Sequence, residues 1–406
     1  MRLAILLIAL LLSACARAPE PQLAGANAFA QRETAPQPAA APLQTQTLKV
    51  ALLAPVGVAA DAKEGSSDGL GLMLERAARL AIEDMTAPFE LDVIDTGTGT
   101  PGVIDAARAA VDGGAKLVVG PIYAADVATA SAITLPAGVP MLAFTSDTAQ
   151  AAGGVYTNSF TPEAGVRAIL RHAASLGTRH VVVFAPKGRY GDIALATAKK
   201  TMGRLGGQVA YAVRTDGTAE GYLQAARIAA VAVEGADAIY IPEGGKAPRA
   251  IMGELARAGV RLDGKRVLGS GQWGAADLKD PRLNGALYAS NDEEAYKTFA
   301  YRYEAAHASK PTVTAALAYD AVAIAVALAR RSPGRPWSRA AIESTAGFRG
   351  ATGLFRFKSD GTIERRLAIR EVRDGTSQQV KAANDRFQAD NTRYVLSGAG
   401  LATLRR

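Results

Sequence analysis

From Leu48 onward, short apolar runs alternate with amphipathic segments, and this alternation constrains the fold of the 406-residue chain more than any other feature. LKVALLAPV (48–56) precedes LGLMLERAARLAIEDM (70–85), and FELDVID (89–95) precedes VIDAARAAVDGG (103–114). AKLVVG (115–120), ADVATASAITLPAG (125–138) and PMLAF (140–144) continue the series. The order predicts βαβαβαβ, a parallel sheet with helices on both faces. It then restarts. A helix is expected at 161–177, a strand at 180–186, a helix at 192–205 and a strand at 208–214. A helix at 219–233, a strand at 236–242, a helix at 248–258 and a strand at 266–271 follow. Two α/β halves of similar size predict two lobes, long enough together for two substantial cores. Helices are expected at 293–307 and 314–331, and GLFRF, the turn KSDG and TIERRLAIREV read as a closing β-hairpin.

Inside this frame, IDTGTGTPGV (94–103) places Gly97, Gly99 and Gly102 in the order G-x-G-x-x-G. A dinucleotide fingerprint belongs to the first strand of its unit and is followed about 20 residues on by an acid for the ribose. Here the loop follows the second strand, KLVVG has no acid near its tip, and Pro101 sits where it starts a helix. The glycines read as a tight strand-to-helix turn, and no cofactor is expected. Other chemistry is sparse. His172, His180 and His307 are widely separated, without metal-ligand spacing, so no metal is expected. Ser270 lies in LGSGQWG, which lacks the G-x-S-x-G elbow. No catalytic residue is assigned, and the chain reads as a non-enzyme.

The N-terminus, MRLAILLIALLLSAC, has one basic residue, an apolar run from Leu3 to Leu12 and a small-residue segment ending at Cys15. The run is short for a membrane span and fits a secretory signal peptide, residues 1–14. Leu12-Ser13-Ala14-Cys15 resembles a bacterial lipobox, which implies lipid attachment at Cys15. Cys15 is the single cysteine, so no intramolecular disulfide can form. Ala16 after it resembles the outer-membrane sorting pattern. Residues 15–46, rich in Ala, Pro and Gln, read as a disordered tether. Net charge is +8, but the basic residues are scattered, and an exported protein has little access to DNA, so no nucleic-acid partner is expected.

LKVALLAPV with RAARLAIEDM, VVGPIYAADVATASAI, VPMLAF and PKGRYGDIALATAKKTM together resemble the type I periplasmic binding proteins of the leucine-binding group. PTVTAALAYDAVAIAVALA and the closing FRGATGLFRFKSDGTIERRLAIREVRDG extend the resemblance over residues 48–375. It implies a two-lobed clamshell, each lobe a doubly wound parallel sheet, joined by three hinge crossovers. Lobe 1 is expected at 48–157 plus 288–344, lobe 2 at 158–287 plus 345–375, and a C-terminal tail at 376–406.

Within the family, PMLAFTSD, YTNSFTPEAGVRAILRHAASLG, FAPKGRYG and AIYIPEGG are similar to lipoprotein activators of penicillin-binding proteins. That resemblance implies a regulator of peptidoglycan synthesis, anchored through Cys15 on the periplasmic face of the outer membrane, with a penicillin-binding protein as partner. The longer activators carry a helical-repeat domain before the clamshell, where this chain has the tether. The alternative is the substrate-binding lipoprotein of an ABC importer for branched-chain or related amino acids, with an ABC permease as partner and a small amino-acid-like ligand. For that alternative the cleft candidates are Thr145, Ser146, Asp147, Tyr190, Glu243, Gln272 and Trp273. Trp273 is a candidate to stack on a ligand or, alternatively, to pack across the hinge. Where the amino-acid binders carry paired serines, the chain has Tyr123-Ala124-Ala125-Asp126, and a glycine stands where their ammonium-binding acid falls. Glu243 is the candidate substitute, or else a solvated loop acid.

Overall fold

The computed structural model describes residues 47–58, 69–332, 334–384, 386–387 and 394–395. The expected signal peptide, Cys15 and tether lie outside the described residues. Five parallel strands form the first sheet: β1 (Lys49–Ala54), β2 (Glu90–Asp95), β3 (Leu117–Val119), β4 (Met141–Ala143) and β5 (Val155–Thr157), in the order β2-β1-β3-β4-β5. Helices α1 (Leu70–Met85), α2 (Thr100–Asp112) and α3 (Ala124–Thr134) connect them. From Val50 onward β1 is apolar because successive side chains enter different cores. Val50, Leu52 and Ala54 meet α1, while Ala51 and Leu53 meet α2 and α3.

The glycine-rich stretch is the turn from β2 into α2. Gly97 and Gly99 hold φ of +52° and +89°, and Asp95 accepts the Gly97 N–H at 2.9 Å. A Cβ on Gly102 would come within 2.2 Å of the Thr96 carbonyl oxygen, so only glycine permits this approach.

The second half repeats the scheme. Helix α4 (Pro162–Ser175) leads to β6 (His180–Pro186), α5 (Arg189–Arg204), β7 (Gln208–Thr215), α6 (Ala219–Glu234) and β8 (Ala238–Tyr240). Then come α7 (Ala247–Arg257), β9 (Arg266–Gly269), the short α8 (Ala275–Leu278) and β10 (Leu287–Ser290). Val182 and Phe184 of β6 face α6 and α7, whereas Val181, Val183 and Ala185 face α4 and α5.

The chain returns to the first lobe through α9 (Glu293–His307) and α10 (Val313–Arg331), the latter packed on α1 and β3. After α11 (Arg339–Ile342) come β11 (Phe348–Gly350), β12 (Gly353–Phe357) and β13 (Ile363–Arg365). With β16 (Tyr394–Val395) they make a small sheet, β13-β12-β11-β16. The strand β14 (Ala368–Arg373) then pairs antiparallel with β10, and β15 (Thr376–Lys381) pairs with β14. The second sheet is therefore β15-β14-β10-β9-β8-β6-β7. The chain crosses between lobes at 158–161, 291–292 and 366–367, giving a two-lobed α/β clamshell with three crossovers.

Three assignments differ from the expected boundaries; the first is residues 288–290, expected in lobe 1, which belong to β10 of the second sheet. Residues 348–365 belong with the first lobe, because Phe348, Phe355, Phe357 and Ile363 are buried in the same core as α1 and α10. Within the expected tail, 376–381 is an edge strand of the second sheet.

Candidate functional site

In open α/β sheets ligands bind beyond the carboxyl ends of the strands, where the strand order reverses. In the second sheet the reversal lies between β6 and β8. There Tyr190, in the first turn of α5, donates its hydroxyl to the Pro242 carbonyl oxygen at 3.1 Å. Ser270, after β9, donates to the same oxygen at 2.6 Å. Burial pushes the Tyr190 phenol above its usual range, so it stays protonated and able to donate.

Beside these groups, toward the crossovers, is a cavity of about 270 Å³. Its apolar wall comes from Phe160, Pro162, Val313 and Leu367, and its polar wall from Tyr190, Ser270, Gln272, Asn291 and Arg365. The N-terminal turn of α4 also lines it; Thr161, its N-cap, makes no capping bond with its side chain. Among the described residues none that lines it is a carboxylate.

Arg365 is fixed before any ligand arrives. Its guanidinium donates to the Ser159 carbonyl oxygen at 2.8 Å, to Thr352 Oγ1 at 2.8 Å and to Asn158 Oδ1 at 3.2 Å. It also lies over the rings of Phe160 and Phe355, at 4.5 and 4.7 Å from their centroids. Burial lowers its pKa to about 10, with Asp320 opposing the shift, and it remains charged at neutral pH.

The candidate residues separate into groups. Tyr190 and Gln272 line the cavity. Thr145, Ser146 and Asp147, after β4, do not line it. Thr145 is buried and its Oγ1 accepts the Asp147 N–H, while Ser146 is exposed. Asp147 caps the turn that follows and pairs across the cleft with Arg189 at 3.3 Å. A second cross-lobe bond runs from Thr148 Oγ1 to Glu163 Oε1 at 2.8 Å. Glu243 is turned away, accepting from Thr215 Oγ1 and Tyr222 OH, each at 3.1 Å.

Trp273 is not placed to stack on a ligand. It is 6% exposed, its indole N–H donates to the Ile241 carbonyl oxygen at 3.1 Å, and its ring lies on Gly269 within the second-lobe core. A Cβ on Gly269 would stand 2.3 Å from that ring, so the glycine is what admits the indole.

Phe160, Asn291, Val313, Arg365 and Leu367 were missed by sequence reasoning. Asn291 follows a four-residue strand too short to signal itself. Arg365 lies in what reads as one continuous strand but is two. Among the described residues no cluster of His, Cys, Asp and Glu is arranged to hold a metal.

Comparison with known proteins agrees with this architecture. None of the curated proteins matches the chain. Among solved structures, a leucine-binding protein from Thermotoga maritima is 20% identical with a TM-score of 0.57, over 84% of this chain and 99% of its own. An ABC transporter substrate-binding protein from Sphaerobacter thermophilus is 19% identical with a TM-score of 0.63, over 84% and 98%. An ABC transporter solute-binding protein from Rhodopseudomonas palustris BisB5, in complex with 3,4-dihydroxybenzoic acid, is 20% identical with a TM-score of 0.59, over 85% and 98%. The family described as periplasmic binding protein matches residues 47–377. With two doubly wound lobes, three crossovers and a cavity beside them, the chain belongs to the periplasmic binding proteins of type I, leucine-binding-protein-like, a family of extracytoplasmic binding proteins rather than enzymes.

Proposed function

We propose that the protein is the solute-binding component of an ABC importer, and that its ligand is a small carboxylate with an apolar body and no ammonium group. The lining of the cavity carries this reading. At about 270 Å³ it sits just below the roughly 300–1,000 Å³ usual for ligand pockets, which fits a small solute. The positive end of α4 and the backbone around Gly271 favour a carboxylate, and Phe160, Val313 and Leu367 favour an apolar body. Among the described residues no acid lines the cavity, and Glu243 is engaged elsewhere, so these residues offer the ammonium of an α-amino acid no counter-charge. Of the similar structures, one is a leucine-binding protein and another holds 3,4-dihydroxybenzoic acid; the lining fits the second kind of ligand better.

Regulation of a penicillin-binding protein is the competing reading, and it rests on sequence resemblance: the stretch through the lobe crossover, AIYIPEGG, the lipobox-like ending at Cys15 and the tether. Calorimetry of the protein with benzoate, 3,4-dihydroxybenzoate, 4-methyl-2-oxopentanoate and leucine separates the possibilities. Binding of a carboxylate with a Kd on the order of micromolar, weakened at least about tenfold by Tyr190→Ala, is the expected result. Leucine binding as tightly as its oxo analogue would overturn the ligand class. Silence across the panel, with retention of a penicillin-binding protein on the immobilised chain, would replace the importer reading. Lipid attachment at Cys15 is part of the same proposal, with either the outer or the inner membrane as the anchor site. Labelled fatty acid should enter the wild type and not Cys15→Ser.

A further inference from the structure

A second, smaller cavity of about 120 Å³ lies along the third crossover, between α4 and the segment 364–367. Besides Arg365, whose guanidinium is already engaged, four cationic side chains line it: Arg167 and Arg171 of α4, Arg366 of the crossover, and Lys381 at the end of β15. Arg167 and Arg171 are four residues apart and share one helix face, where like charges repel. Among the described residues the one carboxylate in the lining, Glu364, is already engaged. Its Oε2 accepts from Arg356 at 2.8 and 3.0 Å, and its Oε1 stands 3.3 Å from Arg366.

The other cations have no such compensation. Among the described residues no carboxylate lies within 4 Å of Arg167, Arg171 or Lys381, and none of these three side chains makes a hydrogen bond to a described residue. Glu163, one turn before Arg167, is bonded instead to Thr148. The Nε of Arg366 is shut away from solvent with no acceptor. Burial lowers the pKa of Arg167, and Arg171 and Arg204 depress it further, against Glu163 and Glu364. Uncompensated cations held around one small cavity cost the ligand-free protein stability that an anion there would restore.

We propose that this cavity is a binding site for a phosphate-type oxyanion. Guanidinium groups match the oxygens of such an ion with paired N–H donors, and a lysine adds a point charge. A volume of about 120 Å³ is roughly four times a water's share of the liquid, room for one tetrahedral oxyanion. Arg171 and Lys381 are exposed, so a group esterified to the phosphate has a way out to solvent. The ion is therefore either free inorganic phosphate or the phosphomonoester of a lipid headgroup. Arg365 and Leu367 line both cavities, so an occupant here braces the crossover that also bounds the solute cavity.

The test has two arms, each with wild type, the double variant Arg167→Gln/Arg171→Gln and a remote control, Arg261→Gln. The first measures melting temperature and calorimetric heat with inorganic phosphate against chloride at matched ionic strength. The second measures sedimentation with vesicles of phosphatidylcholine, with and without phosphatidic acid. Phosphate binding that weakens at least about tenfold in the double variant, and not in the control, identifies a free oxyanion site. Sedimentation with phosphatidic acid alone, lost in the double variant, identifies the headgroup as the source. The double variant should melt in chloride no lower than the wild type, which shows that it folds. Absence of binding in both arms overturns the proposal. So does binding that the double variant retains.

Discussion

Thr352 joins the two buried charges of the hinge. Its hydroxyl donates to Asp320 Oδ2 at 2.5 Å and accepts from Arg365 at 2.8 Å. Asp320 also accepts the backbone N–H groups of Ala351 and Thr352, at 2.6 and 2.9 Å. A Cβ on Gly350 would meet Asp320 Oδ1 at 2.2 Å, so glycine is required beside the carboxylate. The knot ties α10 to the β11–β12 turn and, through Arg365, to the first and third crossovers. Asp320→Ala leaves the Ala351 and Thr352 N–H groups and the Thr352 hydroxyl without their acceptor and Arg365 without its nearby counter-charge, and should cost about 3–5 kcal/mol in urea unfolding. Burial raises the Asp320 pKa from 3.8 to about 6, outweighing the donors around it. A raised carboxyl pKa means that the folded state binds the proton more tightly. The resulting stability is full below about pH 4 and is lost as pH rises through about 6. Asp320→Asn should remove this term. The difference in unfolding free energy between neutral pH and about pH 5 should therefore shift toward acid destabilisation in the variant relative to wild type.

Helix α10 shows how one element serves both lobes' geometry. Its 19 residues are apolar enough to pass for a membrane span by length and composition, yet all side chains from Ala315 to Ala329 are buried in the protein. Eight of those fifteen positions are alanine, which lets the helix lie close to α1 and the first sheet. Ala321→Leu should overpack this contact and lower stability by about 1–3 kcal/mol in chemical denaturation. At this scale the sequence was most legible where periodicity was long: α1 and α9 lie at their expected residues, 70–85 and 293–307. It was least legible where strands were short or changed sheet. The strands β5 and β10 have three and four residues, too few to display a period. TIERRLAIREV reads as one strand, but Arg365 pairs with β12 while Ala368 pairs with β10, and nothing local marks the switch. That switch places Arg365 and Leu367 at the cavity.

The two lobes are held together across the cleft by Asp147–Arg189 and Thr148–Glu163, in addition to the crossovers. An exposed ion pair contributes at most about 1 kcal/mol, so it biases rather than locks the clamshell. Asp147→Ala should shift the balance toward open forms by up to about fivefold. Small-angle scattering should show a larger radius of gyration for the variant, restored toward the wild-type value by a ligand that bridges the lobes. An unchanged radius would mean that the crossovers alone set the interlobe angle.

Hydrophobic period, helix starts and glycine turns are local properties, and from them the sequence by itself determined two consecutive α/β halves and the placement of most of their helices. It also fixed the β2–α2 glycines as a turn, because φ above zero and a close carbonyl demand glycine there whatever the rest of the chain does. Which loops converge was decided only in the tertiary structure. Tyr190, Gln272, Asn291, Val313 and Arg365 span some 175 residues of chain, and they meet because two sheets and three crossovers bring strand ends together. The same packing drew Trp273 into the core and turned Glu243 toward Thr215 and Tyr222. Side-chain direction at a loop is set by neighbours distant in sequence, and no local pattern encodes it.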